Sequence, residues 1–298
     1  MTITRKTVHT ACALLAALLI VSCGSDDDDT SATGDENAGT LTDNGGNQGV
    51  PDTASIGVIF ANEQKSVDNE FFMTVSGFFL EASTDVQSEF TDTEFPLDVC
   101  EIDQDSNSSL NLATDSVSAG ETVIISNTAG TLATLERTID DLGIRYGIAE
   151  ESLQPFATGP LSFGLGVPAG DSNNLTIDVP GDTFPAFSSI VVSRAVQMEL
   201  IAADMAVAGM PTAFSWVAGE DVQTGTSINY VDISLYGESL RATCRVVDDG
   251  SFEIPQSFLT TLSDFNFEFG EIERERSEVF VQQDGILGFF SSSNPVEF

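Results

Sequence analysis

Few side chains in this sequence can do chemistry, and they are unevenly placed. The one histidine, His9, precedes the apolar run at 11–21, so no imidazole follows it. That removes Ser-His-Asp and Cys-His nucleophiles, histidine-held zinc or copper, and histidine acid–base catalysis. The G-x-S-x-G elbow is absent, Ser162 standing in GPLSFG with the wrong spacing, and there is no P-loop or dinucleotide fingerprint. Carboxylate and phenol chemistry remain. With 47 acidic residues, a carboxylate pair of the glycosidase kind could form almost anywhere. Tyr146, Tyr230 or Tyr236 with Arg145 or Arg241 would suit a Tyr/Arg lyase-type site, although such residues more often finish strands and pair charges. Asp103, Asp105 and Asn107 offer alternate oxygen ligands, as at the opening of a calcium loop. Ser108, however, stands where the sixth-position glycine belongs, and Thr114 where the closing carboxylate belongs. A polar turn is the expectation there, and no cofactor is expected.

The elements that must carry these groups begin with an N-terminal address. Arg5 and Lys6 are followed by an unbroken apolar run at 11–21, and Ser22 precedes Cys23. Eleven apolar residues fall well short of the roughly 20 that span a bilayer as a helix. The order of charge, apolar core and small residue is that of a signal peptide. With Ile20, Val21 and Ser22 leading to Cys23, the segment resembles the type II (lipoprotein) signal peptides of bacteria. The resemblance covers only the first two dozen residues. It implies cleavage between Ser22 and Cys23 and lipid on Cys23. Three acyl chains, each buried methylene contributing about 0.8 kcal/mol, would hold the protein at a membrane permanently. Gly24 in place of Asp implies sorting to the outer membrane. Asp26 to Asp29 resembles the acidic tags that place some lipoproteins on the cell surface, and would equally keep a tether solvated. Residues 23–54 have almost nothing to bury and read as a disordered acidic linker, spanning about 30 Å r.m.s..

Cys12 would leave with the signal peptide and Cys23 would carry lipid, so Cys100 and Cys244 are the remaining thiols. Two cysteines in an oxidising compartment most often pair, which makes a Cys100–Cys244 disulfide the expectation. Two buried free thiols in separate domains are the alternative. Loss of Arg5 and Lys6 leaves 8 basic against 47 acidic residues, a net charge of −39. Such a field repels nucleic acid and anionic lipid, and favours a cationic partner. It also suits an exported protein kept soluble in salt.

The remaining sequence is organised in short strands. SIGVIF (55–60), FFMTVSGFFLEA (71–82), LDVCEI (97–102), ETVIIS (121–126), TLATL (131–135), 144–148 and LTIDV (175–179) carry β-branched and aromatic residues between turn signals. Residues 150–172 are rich in Gly and Pro and read as a long loop, a common place for binding. PGDTFPAF (180–187) reads as a seam between halves. Beyond it, 190–202 favours strand at Val191 and Val192, while 196–208 could equally be helical. Trp216 in TAFSWV is expected in a core. INYVDISLY (228–236) alternates cleanly, and Asp248-Asp249-Gly250 signals a hairpin. Pro255 opens a helical turn to Leu262. Arg274 and Arg276, interleaved with Glu273 and Glu275, are expected to pair with acids across strands.

The order PGDTFPAF, FSWVAGE, an alternating strand and CRVVDDGSFEIP resembles a group of secreted and lipid-anchored proteobacterial proteins with β-sandwich regions. The likeness spans roughly Pro180 to Leu262 and implies a sandwich, with no activity attached. The expected fold is all-β: an N-terminal β-sandwich domain at 55–185 and a C-terminal Ig-like β-sandwich domain at 186–298, after the signal peptide (1–22) and the linker (23–54). The expected function is a binding, adhesion or structural module held at the outer membrane by lipid, meeting a glycan or an envelope protein and no nucleic acid. The alternative is a histidine-independent carbohydrate-active enzyme.

Overall fold

In the computed structural model, residues 53–83, 97–103, 116–141, 143–159, 162–170, 173–207, 210–219, 223–224, 227–237, 241–262, 267–282 and 285–298 are described. Ser22, Cys23, Asp105, Asn107 and nearly all of the expected linker lie outside them. Strands β1 (Thr53–Lys65), β2 (Phe71–Ser83), β3 (Val99–Asp103), β4 (Thr122–Asn127), β5 (Gly130–Asp140) and β6 (Gly143–Ile148) come first. A hairpin of β7 (Gln154–Gly159) and β8 (Ser162–Pro168) follows, then β9 (Asn174–Val179) and β10 (Phe187–Ser193). Next are β11 (Leu200–Val207), β12 (Met210–Trp216), β13 (Gln223–Thr224), β14 (Ser227–Gly237), β15 (Arg241–Val247) and β16 (Ser251–Glu253). The short helix α1 (Gln256–Thr261), β17 (Phe267–Gln282), β18 (Gly285–Ser292) and β19 (Val296–Glu297) complete the order. The fold is all-β.

Among the described residues, sixteen strands join one sheet along the path β10-β9-β4-β5-β6-β2-β1-β18-β17-β14-β15-β3, with β7, β8, β13 and β19 attached at its sides. The centre of the path is β1, with β2 antiparallel on one side and β18 parallel on the other. A parallel pair needs a long crossover, and here most of the chain is that crossover. Both faces of β1 and β18 are buried, and so both read as nearly continuous apolar runs (SIGVIF, GILGFF) rather than alternating ones.

The two ends of the sheet each have a core on the same face. On one side the strands roll around Ile59, Phe79, Ile125, Leu135, Ile177 and Phe289. The roll brings the end of β10 back towards β17 and β18, where side chains meet amides at and just beyond it: Ser193 N–H donates to Glu278 Oε1 (3.2 Å), and Ala195 N–H to Ser291 Oγ (2.8 Å). At the other end, Val231, Ile233, Val246 and Ile272 pack against Trp216 and Phe214 of a separate three-stranded sheet, β11-β12-β16, with Leu262 after α1.

Several expectations change. Strand pairing does not divide at 185/186: β10 lies against β9, β3 pairs with β15, and β1 pairs with β18, so hydrogen bonds cross from one expected domain to the other. Edge strands are the reason, because each half alone would leave a long row of amides unpaired. The expected seam is core, Phe184 and Phe187 being fully buried and stacked at 5.5 Å. The expected loop at 150–172 contains the β7–β8 hairpin. Its glycine content reflects close approach: a Cβ on Gly164 would lie 2.5 Å from the Phe156 ring, which itself stacks on Phe72 at 4.2 Å. The Asp248–Gly250 turn is present, with Gly250 at φ 102°, but the strand after it pairs with β12 instead of β15. Within the undecided stretch at 196–208, Leu200–Val207 form strand β11.

Candidate functional site

The densest set of ionisable side chains lies on one face of β14, β15 and β17. Alternation along β14 sends Val231, Ile233 and Leu235 into the core and leaves Tyr230, Asp232, Ser234 and Tyr236 on the opposite face. Register then fixes their neighbours. Glu275, Glu273, Glu271 and Phe269 of β17 stand beside those four in turn, and Val247, Arg245, Thr243 and Arg241 of β15 flank them on the other side. Rows of unlike side chains result: Phe269, Tyr236 and Arg241 in one, Glu273, Asp232 and Arg245 in another.

This polar face is buried. Tyr230 is 0% exposed, Glu275 2%, Asp232 4% and Glu273 9%. Arg245 Nε lies 3.4 Å from Asp232 Oδ1, and its guanidinium sits 5.3 Å from the centre of the Tyr230 ring. Arg241 donates to Ser234 Oγ (2.9 Å) and covers Tyr236 at 5.4 Å, while Tyr236 stacks on Phe269 at 4.6 Å. Three buried carboxyls thus face two arginines. Burial raises the Asp232 pKa, an effect opposed by Arg245 and Arg241. Glu273 is pushed up to about 8 by burial and then by the charge of Asp232. Glu275 rises well above the carboxylate range through burial, with Glu273 and Asp232 adding to it. Burial also lifts Tyr236 to about 12. Such a set can hold a proton. Among the described residues, no three His, Cys, Asp or Glu side chains are grouped to hold an ion.

A second polar hub joins the two sheets. Arg274 sits on the core face of β17 and grips Asp248 with Nε (2.5 Å) and a terminal nitrogen (3.1 Å). Its remaining donors reach the carbonyls of Val196 (3.2 Å), Gln197 (3.1 Å) and Val217 (2.7 Å). Asp248 also accepts from Trp216 Nε1 at 2.8 Å and from the Gly219 amide at 3.1 Å. A third buried pair, Arg194 with Glu63 (2.9 Å), takes a further bond from Gln197.

The residues singled out from sequence fall into several places. Cys100 and Cys244 are directly opposed on β3 and β15 and form a disulfide, with Cα atoms 4.0 Å apart. Asp103 ends β3 opposite Arg241. Tyr230, Tyr236 and Arg241 do share the polar face. Tyr146 does not: its hydroxyl donates to the Gly120 carbonyl (2.7 Å) and accepts from the Ala119 amide (2.8 Å), deep in the first core. Arg145 points elsewhere, bonded to Asp140. Trp216 is a core residue, as expected, and Arg274 pairs with an acid from a turn. Arg276 instead pairs along its own strand, with Glu278 at 2.5 Å. Asp232 was missed, although its position within the apolar alternation of INYVDISLY could have flagged it.

Comparison with protein-family models, with curated proteins and with solved structures finds no match to this chain.

Proposed function

We propose that this protein is a lipoprotein of the bacterial cell envelope, held at the outer membrane through Cys23, whose β-rich body serves binding, adhesion or a structural role. The observation that carries the reading furthest is the Cys100–Cys244 bond. Disulfides persist in oxidising compartments and are rare in the cytosol, which agrees with the signal peptide read at Arg5 to Cys23. The polar face supports a non-catalytic role, because its carboxyls are buried rather than presented to a substrate. A glycan or an envelope protein is the partner class that suits a histidine-free, strongly acidic module. Two measurements test this. Cys23→Ser should release the protein from the membrane fraction or block its processing, and unchanged fractionation would remove the lipid anchor. Protease treatment of intact cells should cleave the ectodomain if it is surface-exposed, and protection would remove the adhesion role.

The carbohydrate-active alternative draws on Asp232 and Glu273, which are directly opposed on neighbouring strands and differ in environment. Opposed side chains stand about 4.5–5.5 Å apart at Cβ, close to the roughly 5–5.5 Å separation of retaining glycosidases. Glycan turnover that disappears in Asp232→Asn while the fold is kept would favour it.

A further inference from the structure

The polar face contains an imbalance that its own geometry cannot remove. Asp232 takes Arg245 as its ion-pair partner, and Arg241 is engaged by Ser234 and by the ring of Tyr236. Among the described residues, no ion pair reaches Glu273 or Glu275. Glu275 Oε1 has no hydrogen-bond partner, although the side chain is 2% exposed. In register, Glu275 lies between Ser292 of β18 and Tyr230 of β14, neither of them a cation.

The charged and titratable groups around it are mainly acidic. On its own strand are Glu271 and Glu273, and β14 contributes Tyr230, Asp232 and Tyr236. Strand β3 brings Glu101 opposite Thr243, and β19 brings Glu297 opposite Glu271. Among the described residues, only β15 supplies cations, Arg241 and Arg245, and β18 offers a hydroxyl. A buried carboxylate without a counter-charge is strongly disfavoured, so such a group gives up its charge and keeps its proton.

We propose that Glu275 enters the fold as a neutral carboxylic acid and forms an alkaline-sensitive latch, its ionisation loosening the pairing of β17 with β14. Burial and the neighbouring acids raise its pKa well above the usual range, in the same direction. The sign follows from proton counting. A carboxyl whose folded pKa is raised binds more protons in the folded than in the unfolded state at any pH between the two values. Its contribution is therefore intact at acid pH and is lost as pH climbs from the unfolded value, near 4.5, towards the folded one. One such proton lowers the folding equilibrium constant about tenfold per pH unit across that window.

The test is a series of urea unfolding curves on the full chain between pH 6 and 8, comparing the wild-type sequence with Glu275→Gln. The glutamine keeps the volume and cannot ionise, so the pH slope should shrink by about one decade of equilibrium constant per pH unit. Equal slopes would overturn the latch. Infrared spectroscopy gives an independent reading. In wild type and in Glu273→Gln, a buried carboxylic-acid band should persist at pH 7 and vanish at alkaline pH, with faster amide exchange at 230–232 and 273–275 accompanying its loss. If Glu275→Gln does not fold, this titration decides alone. A fully ionised carboxylate at pH 7 in Glu273→Gln, or unchanged amide protection as the band disappears, would overturn the proposal.

Discussion

Replacing Arg274 with methionine should unsettle the joint between the two sheets more than any other single loss of charge. Methionine matches the stem of the side chain and removes five contacts: two to Asp248 and three to the carbonyls of Val196, Gln197 and Val217. Asp248, itself buried, would keep only the Trp216 and Gly219 donors. Breaking a buried pair by removing one partner costs about 3–5 kcal/mol, since the other charge stays buried. The carbonyls are half-buried beside exposed Val196 and Val217, so water can meet them and should add little. Against a whole-domain stability of about 5–15 kcal/mol, that loss is large. Trp216 is the only tryptophan and is bonded to Asp248, so its fluorescence in urea reports directly on the hub. A second variant separates charge from shape. Arg274→Met combined with Asp248→Asn removes the orphaned charge while its amide oxygen still accepts from Trp216 and Gly219, and should recover at least half of the loss. A single-variant loss below about 1 kcal/mol would refute the assignment of Arg274 as the joint. So would a double variant no more stable than Arg274→Met.

Two further outcomes are expected. Replacing both Cys100 and Cys244 by serine should lower stability by up to about 5 kcal/mol, from the chain entropy of a 144-residue loop; the comparison is unfolding with and without reductant, which should leave the double-serine protein unaffected. Tyr146→Phe should cost about 1–3 kcal/mol by orphaning the buried Ala119 amide and its neighbouring carbonyl, measurable as a lowered urea midpoint with an unchanged slope.

Local periodicity was readable, and long-range partnership was not. The alternation of INYVDISLY gave β14 its inward face, and the two remaining thiols gave the Cys100–Cys244 bond. Nothing local says that SIGVIF near the start must lie beside GILGFF near the end, because both runs are apolar on two faces and carry no partner-specific mark. The same gap explains the hairpin expected after Asp248-Asp249-Gly250: the turn chemistry was right, but the strand leaving it is claimed by β12 through Phe214 and Phe252. The polar face was visible only in pieces. Glu273 and Glu275 were read together with Arg274 and Arg276, yet strand alternation sends the two kinds of residue to opposite faces, where they meet different partners.

The central position of β1 also fixes how the body would respond to force. A pull on the chain ahead of Thr53 acts along a strand that is paired with β2 over all thirteen of its residues and with β18 over eight of the same thirteen. Load applied along a strand shears every one of those bonds at once, whereas a strand at an edge can peel away one bond at a time. Drag transmitted through the N-terminus would therefore meet the fold at its most resistant seam, and the edge strands β3 and β10 would bear little of it.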